Sequence, residues 1–404
     1  MLLGVVGSLV QARYVAPEEM GVFRTFGIVA GYLTFLHLGV FDGLQREVPI
    51  QLGRGDRVRA ERAASASLTW ILFASAVSAA LFVGLALQAA WNSEWMQFWG
   101  WLAFTPAVVG TMYGGYLGTT FRTSQQFRSL SRSSVISAGA GTLVLPLLPV
   151  MGYYGACLRT SVSSLANLLS LHQWRPMKVR PVLDWRAFRE VVRIGLPLSG
   201  IGYVGTALWI SVEGTLVLKW YGLEALGLYS MAVFLRGFIV QLAQNVNQVI
   251  GVKIYEQYGR TGRIDHCLAL SLKPAAIATL ASLPLVATGW ALVPGGLLLV
   301  APKYEDAALM AQLMLLMLPL TFLRLPATIL WATGRTTYCF IPIAAGFLVF
   351  VAGAELLWLN NSGAVGVVIA SLVGLAVTIA GSGLLVWQLI REERSVDQRL
   401  NSST

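Results

Sequence analysis

The 404-residue chain is 56% hydrophobic and only 12% charged, with a mean hydropathy of +0.67. That composition excludes a water-soluble globular domain of this size and makes the bilayer the solvent. The net charge of +10 does not point to nucleic acid, because the cations are spread over short loops with no single stripe or motif; attraction to anionic inner-leaflet lipids is the better reading.

With about 20 apolar residues per span as the yardstick, helices are predicted over 1–13, 20–41, 64–90, 98–121, 133–152 and 153–172. A second set follows over 196–218, 223–250, 266–293, 305–332, 337–358 and 363–390. The fold class expected is therefore an all-α polytopic membrane protein of about twelve transmembrane helices. The first apolar stretch is only about half a span and lacks the basic flank and cleavage site of a signal peptide, so the first helix reads as truncated, with the true start upstream of Met1.

The gaps between spans alternate in charge. With the N-terminus in the cytoplasm, the internal gaps and tail carry 21 of the 29 Lys and Arg residues, and the external gaps carry only Arg13, Lys219 and Lys303. This asymmetry predicts an inner-membrane protein with both termini cytoplasmic. Trp and Tyr at span ends, such as Trp91, Trp95, Trp220 and Trp358, read as interfacial belts. Cys157, Cys267 and Cys339 are far apart and suggest neither a disulfide nor a metal site. No Ser/His/Asp order, HExxH, Walker A or GxGxxG stands in its required context, and the external gaps are too short to build a catalytic domain. The expectation is a protein that is not an enzyme, has no cofactor, and binds no nucleic acid.

A shift of 206 residues lays Arg13–Phe23 over Lys219–Tyr229 and Gln51, Gly53, Arg54 and Arg57 over Gln257, Gly259, Arg260 and Arg263. An even number of helices per half then gives a parallel repeat, six plus six. The domains expected are an N-terminal lobe over 1–183, a linker over 184–195, a C-terminal lobe over 196–390 and a cytoplasmic tail over 391–404. In the linker, Trp185, Phe188 and Val192 share one face, opposite Arg186, Arg189 and Arg193, and Asp184 is placed to cap the helix; this predicts an interfacial helix on the cytoplasmic leaflet.

Charges left inside spans are costly, about 2.5 to 3.5 kcal/mol each at mid-helix, and so face protein or water. The cations are Arg24, Arg159, Arg236, Lys273 and Arg324; the anions are Glu213 and Glu355, with Asp42 at a helix end. Five against two favours an anionic passenger, gripped by Arg forks. Arg24, Arg159 and Lys273 lie near helix ends, where snorkelling to the interface is an equal reading. In the eighth helix Gln241, Gln244, Asn245 and Gln248 form one amide stripe suited to sugar hydroxyls, or to interhelical contact. In the seventh, Ser199, Gly202, Thr206 and Glu213 share a face. Glu213 reads either as an ion-pair partner or as a proton carrier, and Glu355 and Asp42 join it as candidates for coupling to protons or sodium.

The segments Arg13-Tyr14 through Met20-Gly21, Leu38-Gly39-Val40-Phe41-Asp42-Gly43-Leu44-Gln45-Arg46 and Leu52-Gly53-Arg54-Gly55-Asp56 resemble the opening of polysaccharide-biosynthesis flippases. These are the O-antigen-type lipid-linked oligosaccharide translocases of the multidrug/oligosaccharidyl-lipid/polysaccharide exporter superfamily. The second half agrees in Leu196-Pro197-Leu198, Gly222 through Ser230, Pro302-Lys303-Tyr304 and Ala332 through Thr336. The resemblance implies two six-helix lobes around a central cavity in a monomer, working by alternating access. The cargo it implies is a polyprenyl-pyrophosphate oligosaccharide, specifically undecaprenyl-linked, carried from the inner to the outer leaflet for surface polysaccharide; a polysaccharide polymerase is a candidate partner that the sequence leaves open. The alternatives are a multidrug and toxin extrusion cation antiporter of the same superfamily, a lipid II flippase, and, less favoured, a polysaccharide polymerase.

Overall fold

The computed structural model describes the backbone of residues 2–261, 263–333 and 336–402, and within these the side chains of all but residues 2–5, 53, 244, 245, 247–249, 252, 255, 259, 332, 336, 394 and 396–402. Among the described residues there are helices and no strands. The first ten are α1 (Leu2–Tyr14), α2 (Pro17–Leu33), α3 (Val40–Gly53), α4 (Arg57–Trp91), α5 (Trp95–Val109), α6 (Gly115–Thr123), α7 (Phe127–Leu143), α8 (Leu148–Met151), α9 (Tyr153–Gln173) and α10 (Trp185–Tyr203). They are followed by α11 (Trp209–Thr261), α12 (Ile264–Val300), α13 (Ala308–Leu315), α14 (Met317–Leu323), α15 (Thr328–Ala332), α16 (Thr336–Leu359) and α17 (Gly363–Ser402).

Helix ends follow local chemistry. Pro17 opens α2, and the Glu19 carboxylate accepts from the Ala16 amide at 2.9 Å, satisfying an N–H the helix leaves over. Asp56 accepts from Arg59 N at the start of α4, and Asp184 accepts from Ala187 N at the start of α10, each at 3.0 Å, so Asp184 is the predicted cap.

Among the described residues seven helices are long and apolar enough to cross a membrane, or eight if one bent pair counts as a span. This is fewer than twelve because several predicted spans are interrupted. The second span bends by 40° between His37 and Val40. The fourth passes through a π-helical turn at Gly110–Gly114 that follows Pro106. The tenth is broken around Pro319 and Pro326 into short pieces, since proline removes a rung of the ladder. Conversely, one apolar stretch over Trp185–Ala243 contains two predicted spans, parted where Gly222 takes φ 83°.

The 206-residue repeat reappears in the helix boundaries. Ala16, the N-cap of α2, and Gly222, the break in α11, are 206 residues apart. The caps of α4 and α12, Asp56 and Arg263, are offset by about the same interval. One device is unique to the first half: α11 stays helical through 240–245, the positions equivalent to the bend in the second span.

The chain divides into two compact units, Met1–Thr215 and Leu216–Thr404. The linker segment is not a separate helix. It forms the first turns of α10, which runs without interruption into the seventh span, because Phe188 and Val191 are buried in the same apolar cluster as Val40, Leu44, Ala60, Ile71, Met112 and Tyr116. A second core packs Phe26 and Phe82 edge-on against Trp101, with ring centroids 4.6 and 5.1 Å apart. A serine ladder joins α7 to α9, with Ser133 Oγ to Ser170 Oγ at 2.5 Å and Ser137 Oγ to Ser163 Oγ at 3.0 Å. In the second unit α16 and α17 pair through small residues: Gly346 lies against Gly374 and Thr378, and Gly381 against Pro342. Close backbone approach substitutes for the hydrophobic drive that lipid does not supply.

Gly100 tests this packing, since a β-carbon there meets the Phe26 ring and the Tyr153 hydroxyl, whereas at Gly84 nothing lies within 4 Å. Gly100→Val is expected to lower the melting temperature of the detergent-solubilised protein by roughly 3 to 10 °C, the equivalent of about 1 to 3 kcal/mol of overpacking. Gly84→Val is the matched control and is expected to melt like the wild type.

Candidate functional site

The site begins with the break in the second span. After a single 3-10 turn at Thr34–His37, Leu38 and Gly39 both take left-handed conformations, with φ 48° and 77°, and α3 restarts in a new direction. His37 Nδ1 accepts from the Gly39 amide at 3.0 Å, and the ring stacks on Phe41 at 4.5 Å. The restart brings Asp42 and Gln45 to the wall of a cavity of about 490 Å³ inside the first unit.

What holds α3 in place is α10. Gly39, Gly43 and Gly195 have no room for side chains: a β-carbon on Gly195 collides with the Gly39 carbonyl, and one on Gly43 with the Val191 carbonyl. The backbones therefore touch, and Ser199 Oγ donates a short hydrogen bond to the Asp42 carboxylate. The end of α10 also meets α2, where Tyr203 Oη donates to Tyr32 O at 3.2 Å, and Tyr32 shares a hydroxyl contact of 2.8 Å with Thr215 of α11.

The opposite walls come from the fourth, fifth and sixth predicted spans. Gly110, Thr111 and Gly114 of the π-helical turn, with Gly115 and Gly118 of α6, form a wall of small residues; α7 contributes Ser134, and α9 contributes Asn167 and Leu171. Thr119 and Arg122 complete the polar lining. A wide turn of this kind displaces one residue from the helical phase and is a recurrent feature of functional sites. Asn167 is held by Ser133, whose Oγ donates to Asn167 Oδ1 at 3.0 Å. The lining thus offers amides, hydroxyls, one carboxylate and one guanidinium. Such a set matches a hydroxyl-rich polar group in size and chemistry; among the described residues no cluster could hold a metal ion.

Of the residues expected from sequence, Asp42 lines this cavity and Ser199 is hydrogen-bonded to it. Arg24 is half-buried in α2 and is not part of the cavity wall. Arg159 is also elsewhere: it donates from Nη1 to Gln11 Oε1 at 2.8 Å and packs against Gly7 of α1, while its buried Nε has no hydrogen-bond partner among the described residues. Glu213 is fully buried. The four-residue face read from Ser199, Gly202, Thr206 and Glu213 does not form, since Ser199 and Glu213 are buried while Gly202 and Thr206 are exposed. Ser199 and Gly202 already differ within α10, and the π-helical turn at Val204–Leu208 then shifts the phase of Glu213, beyond it, by about one residue.

In the second unit Arg236 is 8% exposed and Arg324 is half-buried, whereas Gln241, Lys273 and Glu355 are exposed. The side chains of Gln244, Asn245 and Gln248 lie outside the described residues. Gln45, Arg122 and Asn167 were not singled out as site residues from sequence. The sequence signals for this lining are weak: a loop cation at Arg122, an isolated mid-span amide at Asn167 and a run of glycines over 110–118, with none for Gln45.

If the contact of α3 with α10 shapes the cavity, Gly195→Val should lower the melting temperature by more than Gly200→Val, where nothing lies within 4 Å of the added carbon. The expected difference is about 3 °C or more, measured on purified protein in one detergent.

The sequence matches no family model and no curated protein. Solved structures do match. An inward-facing multidrug resistance MATE family transporter of the MOP superfamily gives a TM-score of 0.80 at 16% identity, covering 96% of this chain and 95% of that one. An outward-facing MATE family transporter gives 0.68 at 16% identity, covering 97% and 93%. A MOP superfamily transporter from Pyrococcus furiosus, described as having a binding pocket of reversed polarity that suggests a different function, gives 0.69 at 17% identity, covering 97% and 93%. The chain has the all-α, two-lobe, twelve-helix fold of these proteins.

Proposed function

We propose that this protein is a membrane transporter that moves a polyprenyl-pyrophosphate-linked oligosaccharide from the inner to the outer leaflet. The observation that carries the reading is the sign of the charge inside the spans, where Arg24, Arg159, Arg236, Lys273 and Arg324 outnumber Glu213 and Glu355. Arg236 is buried and Arg24, Arg159 and Arg324 are half-buried. Cations withdrawn from water gain most from an anionic ligand, and the planar fork of Arg matches phosphate oxygens. The neutral polar lining of the first unit's cavity suits the sugar that a pyrophosphate lipid carries. Its tail remains in the bilayer throughout. The fold supports alternating access, since MATE transporters that share it are described in both inward-facing and outward-facing conformations. Protons or sodium, taken up at Asp42, Glu213 or Glu355, would couple the cycle to an ion gradient. No step requires covalent chemistry, so the protein is proposed to act as a transporter and not as an enzyme.

A second reading, extrusion of organic cations, is favoured by two observations: Asp42 stands in the wall of the cavity, and matched MATE structures are described as multidrug resistance transporters. The pocket of reversed polarity described for the Pyrococcus furiosus protein is consistent with this fold accommodating either sign of cargo.

Arg236→Ala combined with Arg324→Ala is expected to abolish surface-polysaccharide export while the protein remains in the membrane at its normal level, read by polysaccharide staining beside a membrane immunoblot. Normal polymer from the double variant contradicts the role of these arginines. A deletion strain with normal polymer and raised sensitivity to organic cations transfers the chain to the second reading.

A further inference from the structure

A second cavity in the first unit has no part in the transport reading. It is an apolar groove of about 300 Å³ where α4 meets the 174–184 segment and the start of α10, walled chiefly by Trp70, Phe73, Val182, Leu183, Trp185 and Phe188. The ring of Phe188 lies between Trp70, at 5.1 Å, and Trp185, at 5.3 Å. Nearby polar groups are already engaged. Thr69 Oγ1 donates to Val182 O and Trp70 Nε1 to Leu36 O, both at 2.8 Å, and the Asp184 carboxylate caps α10. An occupant therefore meets carbon and aromatic faces but no free donor, which excludes a polar ligand within the groove.

The surroundings are basic. Residues 173–195 carry six cations against two acids. Glu190 pairs with Arg186 at 3.7 Å and Asp184 is the cap, so both acids are accounted for. Among the described residues Lys178, Arg180, Arg189 and Arg193 have no acidic partner. Arg180 stands two residues before Val182, and Arg189, although set against the apolar face as a whole, lies one helical turn after Trp185 and so at the edge of the groove; both are exposed. Depth fits as well. Thr69 is seven residues, about 10 Å of helix, beyond Arg62, the last cation of the basic turn that opens α4. The groove thus sits where acyl chains begin, just inside the headgroup layer.

We propose that the groove holds an acyl chain of an anionic phospholipid whose phosphate is met by Arg180 and Arg189. An apolar slot beside unpaired cations at this depth is complementary to both parts of such a lipid. The site is independent of the cargo and anchors the start of α10, the helix that positions Ser199 against Asp42.

The test uses the full-length protein in liposomes of zwitterionic lipid, into which phosphatidylglycerol or phosphatidylcholine with brominated acyl chains is mixed. The signal is the fluorescence of Trp185, taken as the difference between wild type and Trp185→Phe; this residue is 66% exposed, so the replacement does not disturb the core. Brominated phosphatidylglycerol is expected to half-quench that signal at a mole fraction about fivefold lower than brominated phosphatidylcholine. Arg180→Gln with Arg189→Gln should remove the preference while both lipids still quench. Equal quenching by the two lipids in the wild type, no quenching by either, or a preference that survives the double replacement would overturn the proposal.

Discussion

The first unit depends on the backbone contact between α3 and α10. In lipid there is little to gain from pressing one apolar helix on another, and association comes from close van der Waals approach and hydrogen bonds. Gly39, Gly43 and Gly195 permit that approach, and the hydrogen bond from Ser199 to Asp42 completes it. Three other features rest on the contact. Burial of Phe188 and Val191 ties the start of α10 into the unit's core. The left-handed turn at Leu38-Gly39 re-aims α3, and the new direction brings Asp42 and Gln45 to the cavity wall.

The helices were largely legible in the sequence, because spans of about 20 apolar residues between charged gaps are a strong signal. The interruptions were less so. Pro106, Pro319 and Pro326 mark three of them, but the bend at His37–Gly39 depends on glycines whose meaning appears only when Gly195 is found opposite. The helical face drawn through Ser199 and Glu213 assumed 100 degrees per residue, an assumption that the π-helical turn at Val204–Leu208 breaks. The cavity itself was legible in one residue, Asp42. Gln45, Thr111, Arg122, Ser134 and Asn167 come from four helices and two predicted gaps, and no local period links them. Arg122 in particular falls in the predicted gap after the fourth span, where a charge tally tells on which side a residue lies and not what it faces.

Two kinds of polar surface are thus separated in this chain. The cavity of the first unit is mixed and close to neutral, one carboxylate against one guanidinium among amides and hydroxyls, and it could hydrogen-bond a sugar without demanding a charge. The cations within spans are distributed over both units and include a guanidinium as buried as Arg236. On the proposed reading these are complementary demands of one amphiphilic cargo, a hydroxylated headgroup joined to lipid through a pyrophosphate. Extrusion of an organic cation would account for Asp42, but not for the excess of cations over anions within the spans.

The most direct measurement is translocation of a fluorescent undecaprenyl-pyrophosphate oligosaccharide in liposomes that contain the purified protein, beside the Arg236→Ala, Arg324→Ala double variant. Movement of the lipid across the bilayer by the wild type, and its loss in the double variant, is the expected result. No movement of the lipid, together with proton-coupled efflux of an organic cation from the same vesicles, would contradict it.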